Sequence, residues 1–226
     1  MTRYLRPTAP IAADVLLPAD PGLAMVLAQR LMSKPLMANH HHGLWGYSGT
    51  TADGRELTVQ STGIGGPSAA AVLGELAGHG ARRLIRVGIC TALDLDLALG
   101  DRVVAEAGLA GAGVSSALGV SRSRPDPGLT AALASALDAR RVLVAGADLH
   151  STEAGSPFER RGEGAAAVDL ETAALFALGE RLPLGLAAVL VVGERAGLRA
   201  DDAALEQSLV EAAVTVISAL GQRAAA

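Results

Sequence analysis

The sequence predicts an α/β protein with a mostly parallel sheet covered by helices on both sides. Three observations lead there. Half of the 226 residues are hydrophobic, enough for one large core, so residues 1–226 are expected to form a single domain. Short apolar runs alternate along the chain with segments whose apolar residues recur at helical spacing. No internal repeat interrupts that order.

Ala13 to Leu17 is an apolar run closed by Pro18-Ala19-Asp20-Pro21, and Gly22 to Met32 reads as helical. Trp45 to Thr50 and Glu56 to Thr62 are extended, with Asp53-Gly54 as the hairpin turn between them. A helix is expected from Pro67, where the missing N–H costs least; Ala70, Leu73, Leu76 and Ala77 form its apolar face, and Gly78 and Gly80 end it. Arg83 to Gly88 and Arg102 to Leu109 read as buried strands. Asp126 to Arg140 is helical, with Leu129, Leu133 and Leu137 on one face. Arg141 to Leu149 is a strand, Glu171 to Arg181 a helix, and Leu186 to Val192 a strand. Asp201 to Leu220 is a long amphipathic helix. The polar, glycine-containing stretch Ser151 to Gly164 is expected to be a mobile loop near a site.

The bulk properties exclude several functions. Net charge is -4 and the isoelectric point is about 5.7, so no basic field exists for a polynucleotide backbone. Aromatic residues make up 2% of the chain, which removes most stacking platforms for single strands. Cys90 is the one cysteine, so no intrachain disulfide forms, in keeping with a reducing compartment. No leader-like apolar core follows Arg3 and Arg6, and the run Leu182 to Val192 is too short to span a bilayer. A cytoplasmic protein without membrane or nucleic-acid partners is expected.

Three segments carry the chemistry. The first is Ser61-Thr62-Gly63-Ile64-Gly65-Gly66-Pro67-Ser68, where an extended run turns into a helix. Its glycines let a ligand approach the main chain, and the helix start offers N–H groups to an anion; a tight turn without a ligand is the alternative. No lysine follows, so it is not a P-loop. Arg82 and Arg83 stand where a dinucleotide site needs an acid, which argues against a nicotinamide enzyme.

The second is Ile85-Arg86-Val87-Gly88-Ile89-Cys90-Thr91-Ala92. A guanidinium within an apolar strand needs an anionic partner, either an internal carboxylate or a ligand. A position at a strand end just before Gly88 favours a phosphate or carboxylate ligand. The third is Val168-Asp169-Leu170-Glu171-Thr172-Ala173-Ala174-Leu175, two acids at a strand end and helix start after the apolar Ala165 to Val168. They suit helix capping, or the two hydrogen bonds that a vicinal diol donates to a carboxylate. Glu194, after Val191-Val192-Gly193, is a candidate general acid. Adjacent His40, His41 and His42 cannot all face one ion in regular structure, so no metal site is expected.

Over nearly its whole length the chain resembles the nucleoside phosphorylase and uridine phosphorylase superfamily. Seven segments match in order: Asp14 to Pro21, Gly43 to Thr50, Ser61 to Ser68, Ile85 to Ala92, Leu99 to Asp101, Val168 to Leu175, and Val191 to Glu194. The resemblance implies a three-layer α/β/α sandwich around a mixed, partly barrel-like sheet. It implies a homodimer or a homohexamer, with sites completed by a neighbouring subunit. The implied reaction is phosphorolysis: phosphate attacks the sugar carbon of a nucleoside and the base departs, leaving a pentose 1-phosphate. The implied enzyme is a pentosyltransferase of purine salvage with inorganic phosphate as co-substrate and no other cofactor. A branch of the family uses water instead.

Carried over residue by residue, the resemblance makes Glu171 the carboxylate that grips the ribose hydroxyls. Leu170 stands where a methionine packs on the sugar, and His150 where an aromatic stacks on the base. Cys90, Thr91 and Asp169 complete the nucleoside site. Glu194 replaces the aspartate that protonates a purine, and Ser151 to Gly164 lacks the Gln-x-Arg pair of pyrimidine-cleaving members. The phosphate site would comprise Ala19, Arg86, Ile89 and, from the neighbouring subunit, His42. It departs from the family pattern: Leu23 replaces an arginine, Ile89 a serine or threonine, and His42 an arginine. Phosphorolysis, hydrolysis and non-catalytic nucleoside binding therefore all remain open.

Overall fold

The structure is a computed structural model and describes residues 3–111, 113–149, 161 and 163–224, with side chains to residue 221. The chain runs β1 (Asp14–Leu17), α1 (Pro21–Leu31), β2 (Met32–Asn39), a short 3-10 turn (His41–Gly43), β3 (Gly46–Thr51), β4 (Glu56–Gln60) and α2 (Gly65–Gly78). Next come β5 (Arg83–Ala92), β6 (Arg102–Leu109), α3 (Gly113–Ala117), β7 (Arg122–Ser123), α4 (Pro127–Leu137) and β8 (Arg140–Gly146). Then follow β9 (Ala167–Asp169), α5 (Thr172–Gly179), β10 (Gly185–Arg195), β11 (Leu198–Arg199) and α6 (Asp202–Ala224).

Five strands close on themselves. β5 pairs with β10, β10 with β6, β6 with β8, β8 with β9, and β9 returns to β5. From β5 an open wing continues through β1, β4, β3 and β2. The sheet is mixed, because the β10–β6, β9–β5, β3–β4 and β2–β3 pairings are antiparallel. Strand and helix alternation alone predicts a mostly parallel sheet. It fails here because the outer wing is built from hairpins and β9 reverses onto β5.

Helices cover both faces. One core joins Leu84, Val103, Val144 and Leu190 of the strands to Val72 and Leu73 of α2 and Leu175 and Phe176 of α5. The other joins Ile85, Val87, Val104 and Val189 to Leu27 of α1, Leu129 of α4 and Leu209, Ala213 and Val216 of α6. Each fully buried leucine, valine or phenylalanine contributes about 1.5–3 kcal/mol of transfer free energy. By length and composition α6 is apolar enough to cross a membrane, but its Leu209, Ala212, Ala213 and Val216 pack into this core.

Local chemistry sets the element ends. Asp20 and Asp126 are N-caps that each precede a proline, and they accept from Leu23 N (2.6 Å) and Leu129 N (2.7 Å). Thus α1 starts at Pro21 rather than Gly22. α4 ends at Leu137 rather than Arg140, because Asp138 takes a left-handed conformation. Asp201 accepts from Ala203 N and Ala204 N and starts α6. The expected strand to Leu149 stops at Gly146, and the expected helix to Arg181 stops at Gly179. β3 and β4 form the predicted hairpin, with Gly54 at φ +84° in the turn. Two differences bear on function. α2 begins at Gly65, two residues before Pro67, and β5 runs on past Gly88 to Ala92.

Candidate active site

β5 changes neighbours along one edge. β1 pairs with it from Arg83 to Arg86, and β9 pairs with it at Thr91 and Ala92. Among the described residues no strand lies against that edge from Val87 to Cys90. A switch of this kind opens a crevice in an α/β sheet, and here a cavity of about 610 Å³ opens beside it. Arg86 is therefore within a strand, not at its end as the sequence suggested. β10 supports β5 through the Arg195–Ala92 register, so the strand does not stop at Gly88.

The cavity collects residues from distant parts of the chain. Ala19, Asp20 and Leu23 come from the β1–α1 junction, and Arg86 through Thr91 from β5. Asp169, Leu170 and Glu171 come from the β9–α5 turn, Glu194 from β10, and Arg199 from β11. Of the residues expected at the site, Ala19, Arg86, Ile89, Cys90, Thr91, Asp169, Leu170, Glu171 and Glu194 all line it. His150 and most of the expected loop Ser151 to Gly164 lie outside the described residues. His42 does not line this chain's cavity; it sits exposed in the 3-10 turn at φ +57°, with its ring 5.8 Å from that of Tyr4.

The polar floor is an ion cluster. Arg86 is 1% exposed. Its Nε donates to Asp169 Oδ2 (3.0 Å) and Thr172 Oγ1 (3.2 Å), and its Nη2 donates to Glu171 Oε2. Nη2 also lies 3.0 Å from Asp169 Oδ2. Asp169 further accepts from Thr172 N (3.0 Å) and Thr172 Oγ1 (2.6 Å), which caps the start of α5. The internal ion pair, one of the two readings of Arg86, is thus present. Its Nη1 has no partner among the described residues.

Glu171 has a second task. Its Oε1 accepts from Gly65 N at 2.9 Å, the first amide of α2. Ile64, the residue preceding α2, supplies no side-chain cap, so Glu171 caps that helix from across the site. The glycine segment that the sequence offers to an anion therefore turns one N–H onto a protein carboxylate. Close packing fixes the position of Glu171. A Cβ on Gly108 or Gly146 would fall 2.7 Å or 2.8 Å from Ala173, so only glycine lets α5 lie this near the sheet.

Burial shifts the charges of this cluster. Desolvation pushes the Glu171 carboxyl above its ordinary value, against the opposing pull of Arg86. Burial alone would lower the Arg86 pKa, but Glu171 and Asp169 outweigh it and the net direction is upward. Burial, followed by the Asp169 charge, pushes the Cys90 thiol up, so it is not a nucleophile.

The opposite wall is a hairpin. Ala196 (φ +49°) and Gly197 (φ +79°) make the tight turn between β10 and β11. A register shift at Gly193 brings Glu194 opposite both Thr91 of β5 and Arg199 of β11. Directly opposite residues share a face, so Glu194 and Arg199 are cross-strand neighbours on the cavity wall. Sequence reasoning missed Arg199, Asp202, Leu205, Glu206 and Leu209, which come from this hairpin and the first turns of α6. The spacing of Leu205 and Leu209, one helical turn apart, was the available signal. Altogether the described lining has six carboxylates and two guanidinium groups, with Leu23, Ile64, Ile89 and Leu149 as apolar walls.

A ring of five strands between two helical layers, with a cavity at the neighbour switch of its longest inner pair, is the scaffold of nucleoside phosphorylase-type proteins. The chain belongs to the phosphorylase superfamily, whose family model matches residues 14–225. It is similar to the purine nucleoside phosphorylase DeoD-type of Oceanobacillus iheyensis, at 37% identity over 97 residues. That match spans 42% of this chain and 41% of the relative, about two-fifths of each. The Bacillus thuringiensis protein of the same name is 29% identical over 194 residues, covering 81% of this chain and 82% of the relative.

Proposed function

We propose that the chain cleaves the N-glycosidic bond of a purine-like nucleoside. The observation that carries this reading is the convergence of Glu171 and Glu194 on one cavity, with Glu171 held between Arg86 and the Gly65 amide. The sugar hydroxyls donate to Glu171, whose charge also stabilises the oxocarbenium-like sugar of the transition state. As the C1′–N bond breaks, its electron pair leaves with the base, and Glu194 in its acid form gives a proton to a base nitrogen. Leu170 packs on the sugar, and Cys90 and Thr91 border the base.

Phosphorolysis is the acceptor chemistry that the family and the names of its relatives support. A phosphate oxygen then bonds to C1′ and a pentose 1-phosphate results. Ala19, Arg86 and Ile89, with His42 from a neighbouring subunit, form the phosphate side of the site in this reading.

A second reading, hydrolysis, is favoured by a specific observation. The two guanidinium groups face six carboxylates, Arg86 is already matched by Asp169 and Glu171, and Leu23 and Ile89 are apolar. Each hydrogen bond to a charged group is worth about 1.5–3 kcal/mol, so two missing ligands weaken phosphate binding by about 3–6 kcal/mol. That is on the order of a hundred- to ten-thousand-fold.

Free-base release from a panel of purine nucleosides, with and without phosphate, separates the readings. Release that requires phosphate supports phosphorolysis, and phosphate-independent release supports hydrolysis. No release from any nucleoside refutes catalysis.

A further inference from the structure

Gly88 lines the cavity, yet it carries no side chain with which to act on a ligand. Its neighbour across the cluster explains its presence. A Cβ built on Gly88 would lie 2.7 Å from Arg86 Nη2, 2.8 Å from Cζ and 3.2 Å from Nη1. The planar guanidinium therefore lies directly over the Gly88 backbone, two residues along the same face of β5. Real Cβ atoms do not approach other heavy atoms that closely, so any larger residue displaces the guanidinium.

We infer that Gly88 is a positioning residue: the absence of its Cβ seats the Arg86 fork where Nε and Nη2 reach Asp169 and Glu171, while Nη1 has no partner among the described residues. This rests on the reading of Glu171 as the sugar-binding carboxylate. The atoms that a Cβ would strike are the end of a long, flexible side chain, not backbone. The strand keeps its ladder to β10, where Gly88 is registered with Leu190, and the whole displacement falls on the ion cluster. The Nε and Nη2 edge of the rigid, planar guanidinium holds two carboxylates at once, so one displacement weakens both contacts together. The groups facing Glu171 are Arg86 from β5, Asp169 from β9 and the Gly65 amide from α2, with the Cys90 thiol beside the first two.

The test is Gly88→Ala in two backgrounds. In the wild-type background kcat/KM for the nucleoside falls about a hundredfold, the loss that a misplacement on the order of 1 Å brings. In the Arg86→Lys background the same change costs less than about twofold, because a compact ammonium has no fork to displace. Equal losses in both backgrounds overturn the inference.

A second readout does not depend on activity. In ¹³C-glutamate-labelled protein the Glu171 carboxyl resonance is assigned by its loss in Glu171→Gln. Its titration midpoint moves upward in Gly88→Ala as the Arg86 contact weakens. An unchanged midpoint overturns the inference even if no nucleoside proves to be a substrate. An upward midpoint in a protein that cleaves no nucleoside upholds the role of Gly88 and refutes only the glycosidase reading.

Discussion

Glu171→Gln separates what this residue does for the fold from what it does for the ligand. The carboxylate accepts from Gly65 N through one oxygen and from Arg86 through the other. A glutamine has one acceptor oxygen, so its NH₂ group must face either Gly65 N–H or Arg86. One buried hydrogen bond is lost, at about 1–3 kcal/mol. The excess negative charge on the floor is relieved at the same time, because Asp169 alone still balances Arg86. The net loss is therefore about 1–2 kcal/mol, below the 3–5 kcal/mol or so of a broken buried ion pair.

The pH dependence has a definite sign. The folded-state pKa of Glu171 is raised above its ordinary 4.5 by burial. The carboxylate is thus disfavoured in the folded state, and wild type loses stability as pH rises from about 4.5 through the folded value. The glutamine variant has no such loss, so the stability gap narrows toward neutral pH. Urea unfolding of both proteins between pH 5 and pH 8 measures it. For activity, replacing a charged acceptor by a neutral one costs about 1 kcal/mol per hydrogen bond, or about 2 kcal/mol for a diol. That is roughly thirtyfold in kcat/KM. A gap that widens with pH, or activity within twofold or so of wild type, would refute the reasoning.

Three further outcomes are expected. Glu171→Ala costs more activity than Glu194→Ala, since it removes the sugar contacts and releases Arg86; steady-state kinetics on one nucleoside gives the ranking, and the reverse order refutes the assignment. His42→Ala lowers phosphate affinity without unfolding the protein if it acts across a subunit boundary, and an unchanged phosphate dependence removes it from the site. Asp20→Ala lowers stability by about 1 kcal/mol through the lost cap of α1, with kcat unchanged; a collapse of kcat would make Asp20 a water-activating carboxylate instead.

Much of the fold is legible in the residues. The Asp-Pro pairs at 20–21 and 126–127, the Asp53-Gly54 turn and the leucine face of α4 mark their elements directly. β2 is hidden because Pro35 and a left-handed Lys34 (φ +47°) break its pattern; a strand at the sheet edge tolerates both. β9 is the end of the apolar run Ala165 to Val168, and the acid that follows marks the strand end. The residues that line the cavity are legible as well, because a guanidinium in an apolar strand and two acids at a strand end and helix start are out of place unless paired. Their pairing with each other is not. Arg86 and Glu171 lie 85 positions apart, and the β5–β9 pairing brings them together. The choice between ligand and internal partner thus depends on topology, not local pattern. The same holds for Arg199 and the first turns of α6, which follow the β10–β11 hairpin to the cavity.

On the proposed function a nucleoside lies in this cavity with its sugar on Glu171. A crystal structure with a purine nucleoside bound tests it most directly. Both ribose hydroxyls are expected within hydrogen-bonding distance of the Glu171 carboxylate, with the base edge beside Glu194. A nucleoside seated elsewhere, or one whose hydroxyls point away from Glu171, would contradict it.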